Sequence, residues 1–393
     1  MAELNLQGVD LRAGTVTQII GQSGSGLSRL AEQLRGNHPG AAVVIQDALA
    51  HITFLRRTVA EEVAFGLEQR GLERADMRNR VTDVLTALNL AHLAERDPTK
   101  LSGGQSRRLA VATVMVLDPE VLILDDSFAG LDTGSAAALA RALTEYAGAV
   151  IVLGNRAQNL PGEAFTLADG RLIAGRPEPV EIALPESVRG REREVIDLGE
   201  VVGTRGGRRA RWWRFGGAKP PAFIVGPVDL SLRRGEVLWL QGTNGSGKTT
   251  LLRAMAGLDG APSPKVGVSL ILQRPEDQVL NSTVGEFVGD EAVVRRLGLD
   301  PDEHPLDLPA AKLRLAQAAS VFGGDRPVVL LDEPDVGLDD SARAEFHAML
   351  ADALRAGRAV VMTCHDPGFI REVGEYALVK MHLLAGHTTS GGR

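Results

Sequence analysis

The feature that most constrains this 393-residue chain is a series of apolar runs and glycine loops that occurs twice in the same order. GQSGSGLSR (residues 21–29) and GTNGSGKTT (residues 242–250) begin 221 residues apart. Each follows an apolar, strand-like run, TVTQII or VLWL, and each leads into a helical pattern. Downstream, VLILDD and VVLLDE are apolar runs ending in paired acids. AGLD and VGLD follow them at equal distance, and AVIVLGN and AVVMTCH close the series. Runs of this kind between polar flanks predict fully buried parallel strands. Strand–helix alternation then predicts two α/β units around mostly parallel sheets. The join falls in RPEPVEIALPESVRGRERE (residues 176–194), rich in proline and charge, which reads as a linker of extended character. The expected domains are residues 1–175 and 195–393.

A chain of this length accommodates two domains of ordinary size. Its 44% hydrophobic and 24% charged residues are those of a globular protein. No run approaches the roughly 20 apolar residues that cross a bilayer, so no self-spanning segment is expected. The opening MAELNLQGVDLRAG lacks the basic start and apolar core of a secretory signal. The single cysteine, Cys364, fits a reducing cytoplasm. A net charge of −7 argues against broad nucleic-acid binding, and two Tyr and three Trp leave little for base stacking.

In the second loop, Gly242, Gly245 and Gly247, with Asn244 and Ser246, let backbone N–H groups converge on phosphates at a helix N-terminus. Lys248 is placed for the β- and γ-phosphates, Thr249 for Mg²⁺, and Thr250 completes the motif. Asp332 is placed to hold the metal, and Glu333 to orient or deprotonate an attacking water. An acidic pair at a strand end can equally be a solvated turn; the loop upstream favours the catalytic reading. His365, after a buried strand, stands where a γ-phosphate sensor would sit. Gln273, after the apolar SLIL, is placed to touch Mg²⁺ and the water.

LSGGQ, with Leu101, Ser102, Gly103, Gly104 and Gln105, together with Arg108 and the pattern RRLAVATVMVL, resembles the signature of ABC-type ATPases. A serine–glycine turn at a helix start is also a plain cap; the paired-acid strand end about twenty residues later, present in both halves, favours the resemblance. It covers residues 1–175 and about 195–390. It implies an α/β chain of two P-loop ABC-type nucleotide-binding domains, each a mostly parallel sheet core with a helical subdomain, and it implies ATP and Mg²⁺. In such families two domains pair head to tail, each ATP lying between the loop of one half and the signature of the other. A narrower likeness, through QRPEDQVLNSTVGEFV and RRTVAEEVAFGLEQRGL, is to the ATPases of energy-coupling-factor importers. There that segment and the following helical subdomain grip transmembrane transporter subunits; otherwise it is an amphipathic surface helix. Gln46 precedes Leu101 by 55 residues, but Gln273 precedes Asp307 by only 34, so the second helical subdomain is expected to be shortened.

The departures sort by site. The first half has Leu27 for lysine, Asp126 for the catalytic glutamate and Asn155 for histidine. The second keeps all three but has DLPAA (residues 307–311) for LSGGQ, when Arg314 is aligned with Arg108. All four losses then fall in one composite site, built on Gly21, Ser23, Gly24, Ser25, Gly26, Leu27, Ser28, Gln46, Asp125, Asp126 and Asn155. The other, with Lys248, Glu333 and the LSGGQ residues, is complete. The resemblance also implies an aromatic under adenine, for which Trp212, Trp213 or Phe215 could serve; the first half begins too close to its loop to supply one. The basic run RGGRRARWWR reads as a solvated insertion, or as a contact for lipid head groups or a partner. Cys364 reads as a buried strand residue. The expected function is the ATP-hydrolysing component of a vitamin or metal-ion importer, peripheral on the cytoplasmic face of the membrane. The alternatives are a soluble tandem ATPase acting on the ribosome or nucleic acid, and a regulatory subunit with negligible hydrolysis.

Overall fold

A computed structural model describes residues 9, 11–178, 181–188, 194–205, 223–243 and 245–384. Asn244, Trp212, Trp213, Phe215 and the basic run beyond Arg205 lie outside the described residues. The chain divides into two units, Met1–Val180 and Glu181–Arg393. Among the described residues, no helix is long and apolar enough to cross a membrane.

The first unit runs β1 (Val16–Gly21), α1 (Leu27–Asn37), β2 (Ala41–Val44), α2 (Val59–Gln69), α3 (Arg74–Ala87), α4 (Gly103–Met115), β3 (Val121–Asp125), α5 (Thr133–Thr144), β4 (Ala149–Gly154), β5 (Glu163–Ala168) and β6 (Arg171–Ala174). Its sheet order is β2-β3-β4-β1-β5-β6, parallel except for the β5–β6 edge hairpin. The central strands are apolar at successive positions because both faces are covered. Leu122, Leu124, Val150 and Val152 pack in one core with residues of α2 to α5. Val121, Ile123 and Ile151 pack in another with Leu30 and Leu34 of α1. The register pairs Ile20 with Gly154 and Asp125 with Leu153, so the glycine loop, the paired acids and the end of β4 leave the sheet at one edge. That carboxyl edge, where the strand order reverses, is where open α/β sheets place ligands.

The second unit runs β7 (Val195–Arg205), β8 (Phe223–Arg233), β9 (Glu236–Gln241), α6 (Lys248–Met255), β10 (Val268–Ile271), α7 (Val284–Val288), α8 (Glu291–Arg296), α9 (Ala310–Phe322), β11 (Val328–Asp332), α10 (Asp340–Arg355), β12 (Ala359–Thr363), α11 (Pro367–Tyr376) and β13 (Leu378–Leu383). The parallel sheet β10-β11-β12-β9-β13 repeats the order of the first. The antiparallel β7–β8 ribbon has no counterpart among the described residues of the first unit. The helices between the glutamine and the signature position have 11 and 14 residues in the first unit and 5 and 6 in the second.

Two expectations are corrected. Part of the segment expected as a linker is fastened to the second unit. Leu184 packs against its core, and Val188, 7% exposed, donates its N–H to the Tyr376 carbonyl at 2.7 Å. Arg355 donates to the Glu186 carbonyl at 3.1 Å. Two apolar side chains among prolines and charges suffice to anchor an extended strap.

The second correction concerns the signature. The helix starts at Gly103 and Ala310, and the strands at Val121 and Val328, are each separated by 207 positions. The one-turn helices Pro98–Lys100 and Pro305–Asp307 keep the same offset. Arg314 therefore matches Arg107 rather than Arg108, and LPAAK (residues 308–312), not DLPAA, replaces LSGGQ.

Candidate functional site

In the second unit the loop after β9 turns through Gly245 (φ +83°) and Gly247 (φ +97°), which starts α6. A side chain at Gly247 would sit 2.9 Å from Val225 Cβ and 3.0 Å from Phe223 Cε1, so both the turn and the ribbon packed over it demand glycine. Lys248, 8% exposed, points back along the loop, its Nζ donating to the Gly242 carbonyl at 2.8 Å and the Thr243 carbonyl at 3.4 Å. Ser246 Oγ is buried with no hydrogen-bond partner among the described residues. A cradle of glycine-permitted N–H groups with an ammonium and an orphaned hydroxyl fits a polyphosphate.

The paired acids close the other side. Thr249 Oγ1 donates to Asp332 Oδ1 at 3.1 Å. Burial, then the Glu333 charge, pushes the Asp332 carboxyl up to about 6. A hydroxyl and a carboxylate so joined fit the hard oxygen donors that Mg²⁺ requires. Glu333 is held at both oxygens: Gln273 Nε2 donates to Oε2 at 2.6 Å, and His365 Nε2 lies 3.0 Å from Oε1. That bond to Glu333 holds the His365 imidazole above its ordinary value against the opposing effect of burial. Glu333 has φ +50°, an uncommon conformation for a non-glycine residue, held here by its N–H donating to Thr363 Oγ1 at 3.0 Å. Lys248, Thr249, Gln273, Asp332, Glu333 and His365 thus meet at one edge. Thr363, fully buried and also donating to Asp332 at 2.9 Å, escaped the sequence reading; its signal was a lone hydroxyl in the apolar run before Cys364 and His365. Cys364 is buried as expected but lies just past the end of β12 rather than in it, and burial pushes its thiol up.

The first unit keeps the scaffold and loses the charge. Gly24 (φ +83°) and Gly26 (φ +99°) repeat the loop conformation, and Ser25 Oγ is buried and orphaned like Ser246 Oγ. Leu27, in the lysine position, packs against the core containing Leu30, Leu153 and Phe165. Ser28 hydrogen-bonds Asp125, and Gln46 hydrogen-bonds Asp126, the same pairing as in the second unit. Asp126 repeats the φ of +50°. Burial pushes its carboxyl up to about 6, and Arg107 opposes that rise. Asn155 follows β4 where His365 follows β12.

Ser102 caps α4 with a reciprocal box: Gln105 N–H donates to Ser102 Oγ at 3.4 Å, and Ser102 N–H to Gln105 Oε1 at 3.0 Å. Gly103 and Gly104 follow in the first turn, where helix geometry provides no intrahelical acceptor for the N–H groups. At the matching start of α9 stands Pro309, with no side-chain cap.

A family model described as ABC transporter matches residues 4–129 and 225–285, which include both glycine loops, LSGGQ and both loop glutamines. The chain is 26% identical, over 96% of its length, to a Bifidobacterium longum protein named for ABC transporter ATP binding, of which it spans 59%. It is 29% identical over 82% of its length to one so named in Streptomyces coelicolor, spanning 74% of it. A Bacillus subtilis protein, YkoD, named for HMP/thiamine import ATP binding, is 26% identical over 94% of this chain and 85% of its own length. Among solved structures, RNase-L Inhibitor matches 95% of this chain and 84% of its own with TM-score 0.60, at 18% identity. Ribosome-bound archaeal Pelota and ABCE1 gives 0.67 over 97% of this chain and 74% of that one, also at 18%. These two likenesses concern the fold. Two parallel sheets in one strand order, each with a phosphate loop and paired acids at its carboxyl edge, thus make this an α/β chain of two P-loop units that is similar to ABC transporter ATP-binding proteins.

Proposed function

We propose that this chain is the ATP-hydrolysing component of an energy-coupling-factor type importer of a vitamin or metal ion, with one competent and one degenerate ATP site. The observation that carries the catalytic part is the Glu333 carboxylate fixed between Gln273 and His365, beside Thr249 and Asp332. In this reading Lys248 and the loop N–H groups bind the β- and γ-phosphates. Thr249, Gln273 and Asp332 would hold Mg²⁺, which when bound neutralises phosphate charge. Gln273 and His365 orient Glu333, which receives a proton from the attacking water at a carboxylate oxygen. His365 is set to contact the γ-phosphate. Ser102, Gly103, Gly104 and Gln105 would offer a further set of N–H and hydroxyl donors to ATP, on the resemblance of LSGGQ.

The first loop keeps its glycine turn, Ser28, Gln46 and Asp125, so it binds nucleotide weakly and hydrolyses none. Leu27 brings no charge, and Asp126 is one methylene shorter than glutamate. Coupling to transmembrane subunits on the cytoplasmic face is supported by the transporter names of the relatives and by two exposed side chains. Leu55, 77% exposed, and Leu280, 92% exposed, follow the two loop glutamines by nine and seven residues. Apolar surface left in water at matching places in both units suits a protein partner.

The test is purification of the tagged chain from detergent-solubilised membranes of its own cells. Recovery with multi-span membrane proteins, lost on Leu280→Asp combined with Leu55→Asp, is expected. Sedimentation with ribosomes and never with membranes would overturn the importer reading in favour of a soluble tandem ATPase.

A further inference from the structure

Helix α9 has no signature at its start, yet it buries two polar side chains in its interior, Arg314 at 2% exposed and Gln317 at 0%. Both reach the loop that carries Gln273. Arg314 Nη2 donates to the Gln273 carbonyl at 2.6 Å, and Nη1 to the Leu272 carbonyl at 3.0 Å. Gln317 Nε2 donates to the same Leu272 carbonyl at 3.1 Å and to Gln278 Oε1 at 2.9 Å. Gln278 Oε1 in turn accepts from the Leu272 N–H at 3.1 Å. Arg314 Nε also donates to the Val336 carbonyl at 3.3 Å, in the turn that follows Glu333. Arg314 and Gln317 are joined by a 2.9 Å bond from Nη1 to Oε1.

One planar guanidinium thus ties the glutamine loop to the segment after the catalytic acid, and one amide spans the loop from residue 272 to 278. The first unit is built differently at the same positions. There the counterpart of Arg314 is Arg107, which donates to the Asp126 carbonyl at 2.5 Å, and the counterpart of Gln317 is Ala110. A buried guanidinium is costly unless its donors are satisfied, and here burial holds it down to about 10. Its partners are carbonyls at the one place that sets where Gln273 meets Glu333.

We propose that Arg314 and Gln317 are positioning residues, a clamp by which α9 holds the glutamine loop so that Gln273 reaches the Glu333 carboxylate. Segment 272–280 also carries exposed Leu280, so the clamp passes displacement of that segment to the catalytic acid. The proposal rests on the reading of Glu333 as the group that receives the proton.

The experiment measures steady-state phosphate release from MgATP and thermal melting, with the full chain. The variants are Arg314→Lys, Gln317→Leu, Gln273→Ala, and each clamp variant combined with Gln273→Ala. Lysine keeps the charge but cannot reach three carbonyls at once. Either clamp variant should lower kcat about 10-fold or more while KM for ATP stays within about 2-fold. With Gln273 already alanine, neither should lower kcat further, because the clamp acts through that side chain. Arg358→Lys is the stability control: Arg358 donates to the Val321 and Phe322 carbonyls at the far end of the same helix. It should cost stability and leave kcat in place.

Losses that multiply in the double variants overturn the clamp, as do kcat losses that track melting temperature equally in Arg358→Lys. Should Arg314→Lys fail to fold, Gln317→Leu decides, since it removes two donated bonds and no charge. A wild-type chain that releases no phosphate overturns the hydrolytic reading and the clamp with it. Wild-type turnover with multiplying losses overturns the clamp alone.

Discussion

Replacing Leu27 by lysine should restore a charge to the first loop without restoring its chemistry. The backbone is already suited to it: Gly24 and Gly26 have φ of +83° and +99°, against +83° and +97° in the second loop. Residue 27 therefore leaves the turn as Lys248 does, and Lys248 reaches a loop carbonyl at 2.8 Å. Leu27 is only half-buried against the α1 core, so its loss costs about 1 kcal/mol, partly recovered by the lysine stem. A charge-assisted contact to phosphate is worth about 1.5–3 kcal/mol, or about 10- to 150-fold in affinity. Equilibrium binding of a non-hydrolysable ATP analogue should therefore show a second class of site tightened by that factor. Phosphate release per chain should stay within about 2-fold, because Asp126 and Asn155 still stand in the places of Glu333 and His365. Unchanged affinity would refute the claim that the scaffold is intact. Turnover rising towards twice the wild-type rate would refute the claim that Asp126 is non-catalytic.

Three further outcomes follow from the same geometry. Pro309→Ser in α9 should supply the missing cap and raise stability by about 1 kcal/mol with no gain in turnover, whereas Ser102→Pro should destabilise α4 and lower kcat; melting and phosphate release check both. Gly247→Ala should abolish nucleotide binding at the second loop and leave the weak binding at the first, since its Cβ meets Val225 and Phe223 at 2.9–3.0 Å. Gly26→Ala meets nothing within 4 Å and should cost only backbone strain, about 1–2 kcal/mol in a chemical melt. For pH dependence the nucleotide-free chain is compared with a variant carrying Asp126→Asn, Asp332→Asn and His365→Asn, so that the opposing effect of His51 and His347, both lowered by burial, cancels. Its melting temperature relative to that variant should rise as pH falls from 8 to 5. Asp126 and Asp332, raised to about 6, carry a penalty that sets in above the unfolded value of about 4 and is complete above their folded values. His365, also raised, contributes stability present below about 6.5 and lost as pH rises through its folded value, so both signs agree. A relative melting temperature that falls over that window contradicts this.

Much of the site was legible before the fold because its chemistry is local. Glycines at 24, 26, 245 and 247 declare a left-handed turn, and apolar runs ending in Asp125–Asp126 and Asp332–Glu333 declare buried strands reaching a polar edge. What escaped depended on contacts distant in the chain. The signature register slipped by one residue because Arg107 and Arg108 are adjacent, and a single aligned arginine could not choose between them; only the helix start and the strand after it do. Arg314 served in the sequence only to align the signature and Gln317 carried no mark, since the meaning of both lies in carbonyls some forty residues earlier. The strap at Leu184 and Val188 was hidden by the prolines and charges around it. Thr363 was hidden by the apolar run that contains it.

The central claim is that one acid of the two at strand ends does the chemistry. Phosphate release at saturating MgATP, compared between Glu333→Gln and Asp126→Asn, tests it most directly. Glu333→Gln keeps partners for Gln273 and His365 but removes the proton acceptor, and should cost about 10²-fold or more in kcat. Asp126→Asn should stay within about 2-fold of wild type. Equal losses from the two substitutions would contradict the account.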